Sequence, residues 1–116
     1  MPAPTTTAEL PERADIALEV ANGANVGGAA TRVGDALEEL GYGGVGSFDG
    51  ELIVDRTAVF AIEGFQGPAD RLAAEVGLEP GLVFPIETAP DVGGLPEATE
   101  LLLYLGRDVE SLPIYS

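Results

Sequence analysis

The chain has 116 residues, of which 46% are hydrophobic, and a formal net charge of −15 from 20 acidic and 5 basic residues. This length fits one domain with a buried core, and so acidic a chain is repelled by nucleic-acid phosphates and by anionic membrane surfaces. The sequence has no cysteine and no histidine, which excludes disulfides, thiolate metal ligands and the Ser-His-Asp and Cys-His catalytic arrangements.

The amino-terminal segment is interpreted as a linker. Residues 1–13 begin Met1-Pro2-Ala3-Pro4-Thr5 and have neither the basic nor the apolar region of a targeting peptide. Pro and Thr in this mixture favour an extended, solvated segment. No apolar run approaches the roughly 20 residues that span a bilayer, so we expect any membrane anchor to lie outside this chain.

The first half of the chain predicts a strand, a helix and a weak strand. The apolar run at residues 16–20 predicts a strand that ends at Asn22-Gly23. After Gly27-Gly28, apolar residues recur with helical spacing. The predicted buried stripe of this helix consists of Val26, Ala30, Val33, Leu37 and Leu40. Gly41 is expected to end the helix in a left-handed conformation, a weak strand follows at residues 42–48, and Asp49-Gly50 is a hairpin signal.

The second half repeats the order of the first. Residues 52–54 and 57–62 are β-prone on either side of a bend at Asp55-Arg56, and Pro68 is expected at the first position of a second helix that stops near Gly77. Strands are predicted at residues 82–86 and 100–105, with a loop at residues 88–96 between them.

One motif, G-x-A-x-R-[V/L], occurs twice, at residues 28–33 and 67–72. Each copy follows a β-type run and a glycine-containing loop, which suggests two related βα halves about a pseudo-two-fold axis. The predicted fold class is therefore an α/β (α+β) sandwich of ferredoxin-like βαββαβ type, with two helices on one face of a mixed sheet and with or without one extra strand. A parallel sheet covered wholly by helices is the second choice.

Several of these segments together resemble a known family, the LytR C-terminal domain. They are the run VANGANVGGAATRVGDALEELGY at residues 20–42, Arg56-Thr57 before a strand, ADRLA in the second helix, and LYLGRD at residues 103–108. The resemblance covers roughly residues 14–108, and residues 109–116 form a tail. The matched positions, none of them a known catalytic residue of the family, are Asn22, Gly23, Gly28, Arg32, Gly41, Arg56, Thr57, Gly106 and Asp108.

The resemblance implies a non-catalytic, extracytoplasmic accessory module of Gram-positive and actinobacterial cell envelopes. Such domains follow a LytR-CpsA-Psr domain or stand alone behind a membrane anchor. The catalytic LytR-CpsA-Psr domain is not part of this sequence, so we expect no enzyme activity and no cofactor. The implied partners are cell-wall assembly proteins or the glycopolymer and peptidoglycan of the wall. Family members often carry a positively charged or proline-containing loop after the third strand, whereas here residues 63–67 (EGFQG) are acidic.

Two hypotheses for binding remain open. In the first, an exposed strand edge or apolar patch binds a partner protein. In the second, backbone N–H groups of the glycine loops hold an anionic or sugar ligand with help from arginine. The candidate binding residues are Asn22, Gly23, Gly28, Arg56, Thr57, Arg107 and Asp108. A pocket where both glycine loops converge would favour the second hypothesis.

Metal binding and hydrolysis are weaker alternatives. Asp49, Glu51 and Asp55 offer oxygen ligands but lack the spacing of a calcium-binding EF-hand loop, so a solvated turn is the plainer interpretation. A hydrolase using two carboxylates would need one acid whose pKa is raised in a cleft, and no pair is singled out by the sequence.

Overall fold

The computed structural model describes residues 15–24, 26–43, 45–49, 53–78, 82–88 and 99–114. The strands are β1 (Leu18–Asn22), β2 (Gly46–Asp49), β3 (Ala58–Ala61), β4 (Val83–Pro85) and β5 (Leu101–Leu105). The helices are α1 (Ala29–Glu39) and α2 (Gln66–Val76), and short 3-10 helices span Ile86–Thr88 and Arg107–Ser111. The predicted linker at residues 1–13 and most of the predicted loop at 88–96 lie outside the described residues.

The strands form one mixed sheet in the order β2-β1-β5-β3-β4. The unit β1-α1-β2 has parallel strands, as does the unit β3-α2-β4. The last strand, β5, lies between the two units, parallel to β1 and antiparallel to β3. The two βαβ units therefore run in opposite directions on either side of β5. The predicted class, a mixed sheet with two helices and an extra strand, is confirmed, and the antiparallel β3–β5 pair rules out the wholly parallel sheet.

The main core lies between one face of the sheet and both helices. Alternate residues of β1 and β5, among them Val20 and Leu103, pack with Val33 and Leu37 of α1 and with Leu72 of α2 in one apolar cluster. Because side chains alternate between the faces of a strand, the other face carries a second, smaller cluster. Its buried members are Ala21, Phe60, Leu102 and Tyr104. Every residue of β5 is buried, which explains why residues 101–105 form an unbroken apolar run.

Both helices end at glycines that adopt positive φ. Gly41 has φ 114° just past α1, as expected from the sequence, and Gly77 caps α2 with φ 98°. The predicted stripe of α1 differs from the structure at its two ends. Val26 packs against the core but precedes the helix, and Leu40 is 44% exposed. Leu40 is the C-cap and keeps helical dihedral angles, so its exposure follows from its place at the end of the helix. Pro68 is the third residue of α2 rather than the first, which is still within the first turn, where a missing N–H costs no hydrogen bond.

The strand limits and one connection differ from the sequence predictions. The first strand is shifted by two residues, to Leu18–Asn22, and β2 begins only at Gly46. Gly50 of the hairpin predicted at Asp49-Gly50 lies outside the described residues, and β2 and β3 are not neighbours in the sheet. The reason is that β2 pairs with β1 at the edge of the sheet, while β3 pairs with β5 and β4.

The segment after β5 packs back on the domain. Val109 and Leu112 belong to the main core, and Ile114 packs against it. Pro113 lies so close to Gly77 that a Cβ atom on Gly77 would overlap the proline ring. The carboxyl end of the described chain is therefore held against the end of α2.

Candidate functional site

The structure brings all seven candidate binding residues to one end of the sheet. Strands β1 and β5 are parallel, so the residues that follow them lie side by side, and the residues that precede the antiparallel strand β3 lie at the same end. Arg56 is exposed here and has intramolecular contacts of its own. We call this the arginine end, and its candidate residues are Asn22, Gly23, Gly28, Arg56, Thr57, Arg107 and Asp108.

The loop after β1 is held by the side chain of Asn22. Its amide Nδ2 donates to the carbonyl of Val26 at 2.8 Å, and its Oδ1 accepts from the N–H of Ala24 at 3.1 Å. Gly28 then adopts φ 77° at the start of α1, where no side chain caps the helix. An Asn that bonds its own following loop is a common turn device. Both polar atoms of the Asn22 side chain thus have intramolecular partners.

Thr57 and Asp108 tie the start of β3 to the end of β5. The backbone N–H and the hydroxyl of Thr57 both donate to Asp108 Oδ1, at 2.9 and 2.8 Å. The Thr57 hydroxyl in turn accepts from the N–H of Gly106 at 2.9 Å. A Cβ atom on Gly106 would overlap the backbone of Arg56, so a glycine is needed where these two segments meet. Thr57 is 0% exposed, and its hydroxyl has no open side for a ligand.

Backbone hydrogen bonds complete this end of the sheet. The N–H of Gly23 donates to the carbonyl of Leu105 at 2.9 Å, and the carbonyl of Gly23 accepts from the N–H of Val54 at 2.9 Å. The carbonyl of Val54 in turn accepts from the N–H of Arg107 at 2.8 Å. The Arg107 side chain is 66% exposed, and its Nε lies 3.9 Å from a carboxylate oxygen of the more exposed Asp55. An exposed pair at this distance contributes little to stability. The guanidinium groups of Arg56 and Arg107 are therefore the groups of this set that reach into solvent.

A small cavity of about 260 Å³ opens at the arginine end, beside the start of α1. It lies where β1 and β2 end, a position at which parallel sheets often bind ligands. Its lining residues are Asn22, Gly28, Ala30, Thr31, Ser47 and Phe48.

A larger cavity lies at the opposite end of the sheet, and the sequence analysis did not single it out. It measures about 510 Å³ and is bounded by the ends of β3 and β4 and by the first residue of α2. We call it the acidic cleft, because Glu63 and Glu87 both line it and no described lining residue is basic. Phe84, 40% exposed, also lines it and contacts Phe60, with ring centroids 5.8 Å apart.

The two glycine loops do not converge. The loop after β1 lies at the arginine end, whereas the loop containing Gly64 follows the antiparallel strand β3 and borders the acidic cleft. The extended chain rises five times between Thr57 and Ile62, by about 3.3 Å each time, which places the two ends of the sheet about 16 Å apart along β3. A ligand held jointly by both loops does not fit this geometry.

The carboxylates suggested for calcium are not assembled among the described residues. Within those residues no three Asp, Glu, His or Cys side chains come together as a metal site. Glu51 and the side chain of Asp49 lie outside the described part of the chain, and Asp55 is exposed beside Arg107.

A buried tyrosine connects the two helices. Tyr42 follows α1, is 3% exposed, and donates its hydroxyl to Glu75 Oε1 of α2 at 2.6 Å. Burial, followed by the hydrogen bond to Glu75, raises the pKa of Tyr42 to about 12. On the other face of the sheet, burial raises the pKa of Glu19 in β1 above its usual value. Neither residue lines either cavity.

Comparisons with known proteins identify the fold and the family. The family described as LytR cell envelope-related transcriptional attenuator matches residues 15–108. A similar crystal structure is the soluble domain of a conserved hypothetical secreted protein of Mycobacterium marinum, with a TM-score of 0.59 and 19% identity over 90% of this chain and 68% of that one. The solution structure of the C-terminal domain of RV0431 has a TM-score of 0.49 and 23% identity over 91% of this chain and 84% of that one. No curated protein matches the chain.

Among the described residues, no helix has the length and apolar character to cross a membrane.

Proposed function

This chain belongs to the LytR C-terminal domain family, and from that membership we propose that it is a non-catalytic accessory module of the cell envelope that works by binding a partner protein. In this proposal the module is extracytoplasmic and supports the assembly or integrity of the cell wall. A structural relative described as secreted is in keeping with that location.

The observation that carries the proposal is the acidic cleft. Its volume of about 510 Å³ lies within the range of binding pockets. An aromatic side chain as exposed as Phe84 (40%), at the edge of a cavity, is typical of a protein contact surface, where aromatic residues are enriched.

Side chains in the cleft explain partner binding better than pairing along the strand edge. Among the described strands, β4 has a neighbour on one side only. It contains three residues, however, and ends in Pro85, which has no N–H to offer an added strand. The edge strand β2 has four residues. A partner on the β4 side therefore gains more from filling the cleft than from extending the sheet.

The residues of the cleft do not resemble a hydrolytic site. Hydrolysis by paired carboxyl groups needs one acid withdrawn from water so that it stays protonated. Glu63 and Glu87 are both exposed, and the chain has no histidine or cysteine to serve as base or nucleophile. We therefore assign the cleft to binding.

A second candidate function places an anionic or sugar ligand at the arginine end. The favouring observation is that the 260 Å³ cavity beside Asn22 and Gly28 shares this end of the sheet with Arg56 and Arg107. In this alternative the arginines bind the ligand. Asn22, Gly23, Thr57 and Asp108 hold the loops in position, because their hydrogen bonds are made within the protein.

Site-specific photo-crosslinking separates the two functions. A photoreactive phenylalanine analogue replaces Phe84 in one sample and the exposed α1 residue Asp35 in the other, and both are irradiated in cells that express the protein. We expect a crosslinked protein from position 84 and none from position 35.

The complementary measurement is retention on purified peptidoglycan with and without its attached glycopolymer. The second function is supported if retention requires the glycopolymer and falls in Arg56→Ala or Asn22→Ala. If, in addition, positions 84 and 35 crosslink equally, the proposal of protein binding at the cleft is wrong.

A further inference from the structure

We propose that the acidic cleft takes a basic segment of the partner protein, with a lysine or arginine side chain lying over Phe84 between Glu63 and Glu87. This inference rests on the proposed function, since it names the chemistry of the partner at the same site. Three observations carry it: the charges around the cleft, the exposed aromatic ring, and the position of the arginines of this chain.

The charges of the cleft select a cation. Glu63 follows β3 and Glu87 lies just after β4, so the parallel pairing of these strands brings both carboxylates to one cavity. Gln66 places the start of α2 at the same cavity. A helix N-terminus contributes roughly half a positive charge, which is smaller than the two full negative charges. The net charge at the cleft is therefore negative and favours a positively charged group.

The aromatic ring favours the same kind of group. The face of a phenylalanine ring attracts Lys and Arg side chains that lie within about 6 Å of its centre, and the apolar stem of such a side chain covers exposed ring surface. The Phe84 ring contacts the Phe60 ring at a centroid distance of 5.8 Å, and Pro85 adds apolar surface to the same cleft. A side chain with an apolar stem and a cationic tip thus matches both the ring and the carboxylates.

None of the described arginines lines the cleft. Arg56 and Arg107 lie at the opposite end of the sheet, and no described lining residue is basic. The chain as a whole carries a charge of −15, so its long-range field accelerates the approach of a basic partner. An acidic or neutral partner segment is not attracted by the long-range field and forms no ion pairs with Glu63 and Glu87.

The test is the binding of two labelled synthetic peptides to the purified chain, measured by fluorescence anisotropy at physiological ionic strength. One peptide alternates arginine with leucine, and the other has glutamate in place of every arginine. We expect binding of the basic peptide only. Glu63→Gln with Glu87→Gln weakens it about three- to tenfold, since each exposed ion pair contributes modestly, and Phe84→Ala weakens it by a similar factor.

The matched control removes the same two charges elsewhere. Asp35→Asn with Glu39→Gln changes two exposed acids on the outer side of α1, and we expect it to alter binding by less than twofold. Equal loss in both double variants would show that only the overall charge attracts the peptide, and equal binding of the two peptides would show that charge does not select the partner. Either result overturns the inference. If position 84 still crosslinks to a protein, the proposed function stands and only the partner chemistry is wrong.

Discussion

Replacing Thr57 by valine tests whether the arginine end is held together as the hydrogen bonds indicate. Valine has the shape of threonine without the hydroxyl, so Thr57→Val removes the donor to Asp108 Oδ1 and the acceptor for the N–H of Gly106. A hydrogen bond to a charged group contributes about 1.5–3 kcal/mol, and a buried N–H left without a partner costs about 1–3 kcal/mol. Because the two losses share one hydroxyl, we expect a combined destabilisation of about 3 kcal/mol.

The measurement is thermal unfolding with urea unfolding as a second probe. For a domain of the length of the family match, residues 15–108, 3 kcal/mol corresponds to a fall in Tm of about 15 °C. Thr57→Ser keeps the hydroxyl and loses one buried methyl group, which costs about 1 kcal/mol. The reasoning is refuted if Thr57→Val and Thr57→Ser lose the same stability, since the hydroxyl would then contribute no more than a buried methyl group at this position.

Three further predictions concern the same end of the sheet and the contact between the helices. Gly106→Ala should destabilise the fold by about 3 kcal/mol because its Cβ overlaps the backbone of Arg56, whereas Gly27→Ala, whose Cβ meets nothing within 4 Å, should change thermal stability by less than about 0.5 kcal/mol. Asn22→Ala should lower the free energy of unfolding by about 1–2 kcal/mol through the loss of two loop hydrogen bonds, and no measurable loss in urea unfolding would contradict this role. The pKa of Tyr42 is about 12 in the fold against about 10 when unfolded, so its stabilisation is complete below pH 10 and is lost as the pH rises through 12. Urea unfolding between pH 9 and 12 should therefore show a steeper alkaline loss for the wild type than for Tyr42→Phe, and parallel curves would count against the pKa shift.

Local signals were sufficient to predict which elements form. The spacing of Val33 and Leu37 indicates a helix with one buried side, and Gly41 marks its end. The order of the strands could not be predicted in this way, because β5 enters between β1 and β3 through contacts with residues 40 or more positions away. The unbroken apolar run of β5 indicates burial on both faces, yet it does not say which strands are its neighbours.

The two cavities differ in how far the sequence could predict them. Asn22, Gly28, Thr57 and Asp108 lie in recognisable glycine loops and strand ends, and the structure brings these segments together at one end of the sheet. Glu63 and Glu87 are 24 positions apart and carry no shared local pattern. They meet only because β3 and β4 pair in parallel around α2. The repeated G-x-A-x-R-[V/L] motif indicates a second βα unit, but it includes neither glutamate.

Because the two βαβ units run in opposite directions, the residues that join the strands and the residues proposed to bind a partner lie at opposite ends of the sheet. Each unit opens a cavity where its own parallel strands end, so the two cavities fall at opposite ends of the sheet. At the arginine end, Thr57, Asp108 and Gly106 use their polar groups to join β3 to β5. At the acidic cleft, the exposed Glu63 and Glu87 do not belong to either apolar cluster. Substitutions at sites this far apart usually act independently on stability. Thr57→Val should therefore lower stability while the folded fraction keeps its affinity for the basic peptide, whereas Glu63→Gln with Glu87→Gln should lower affinity and leave Tm unchanged.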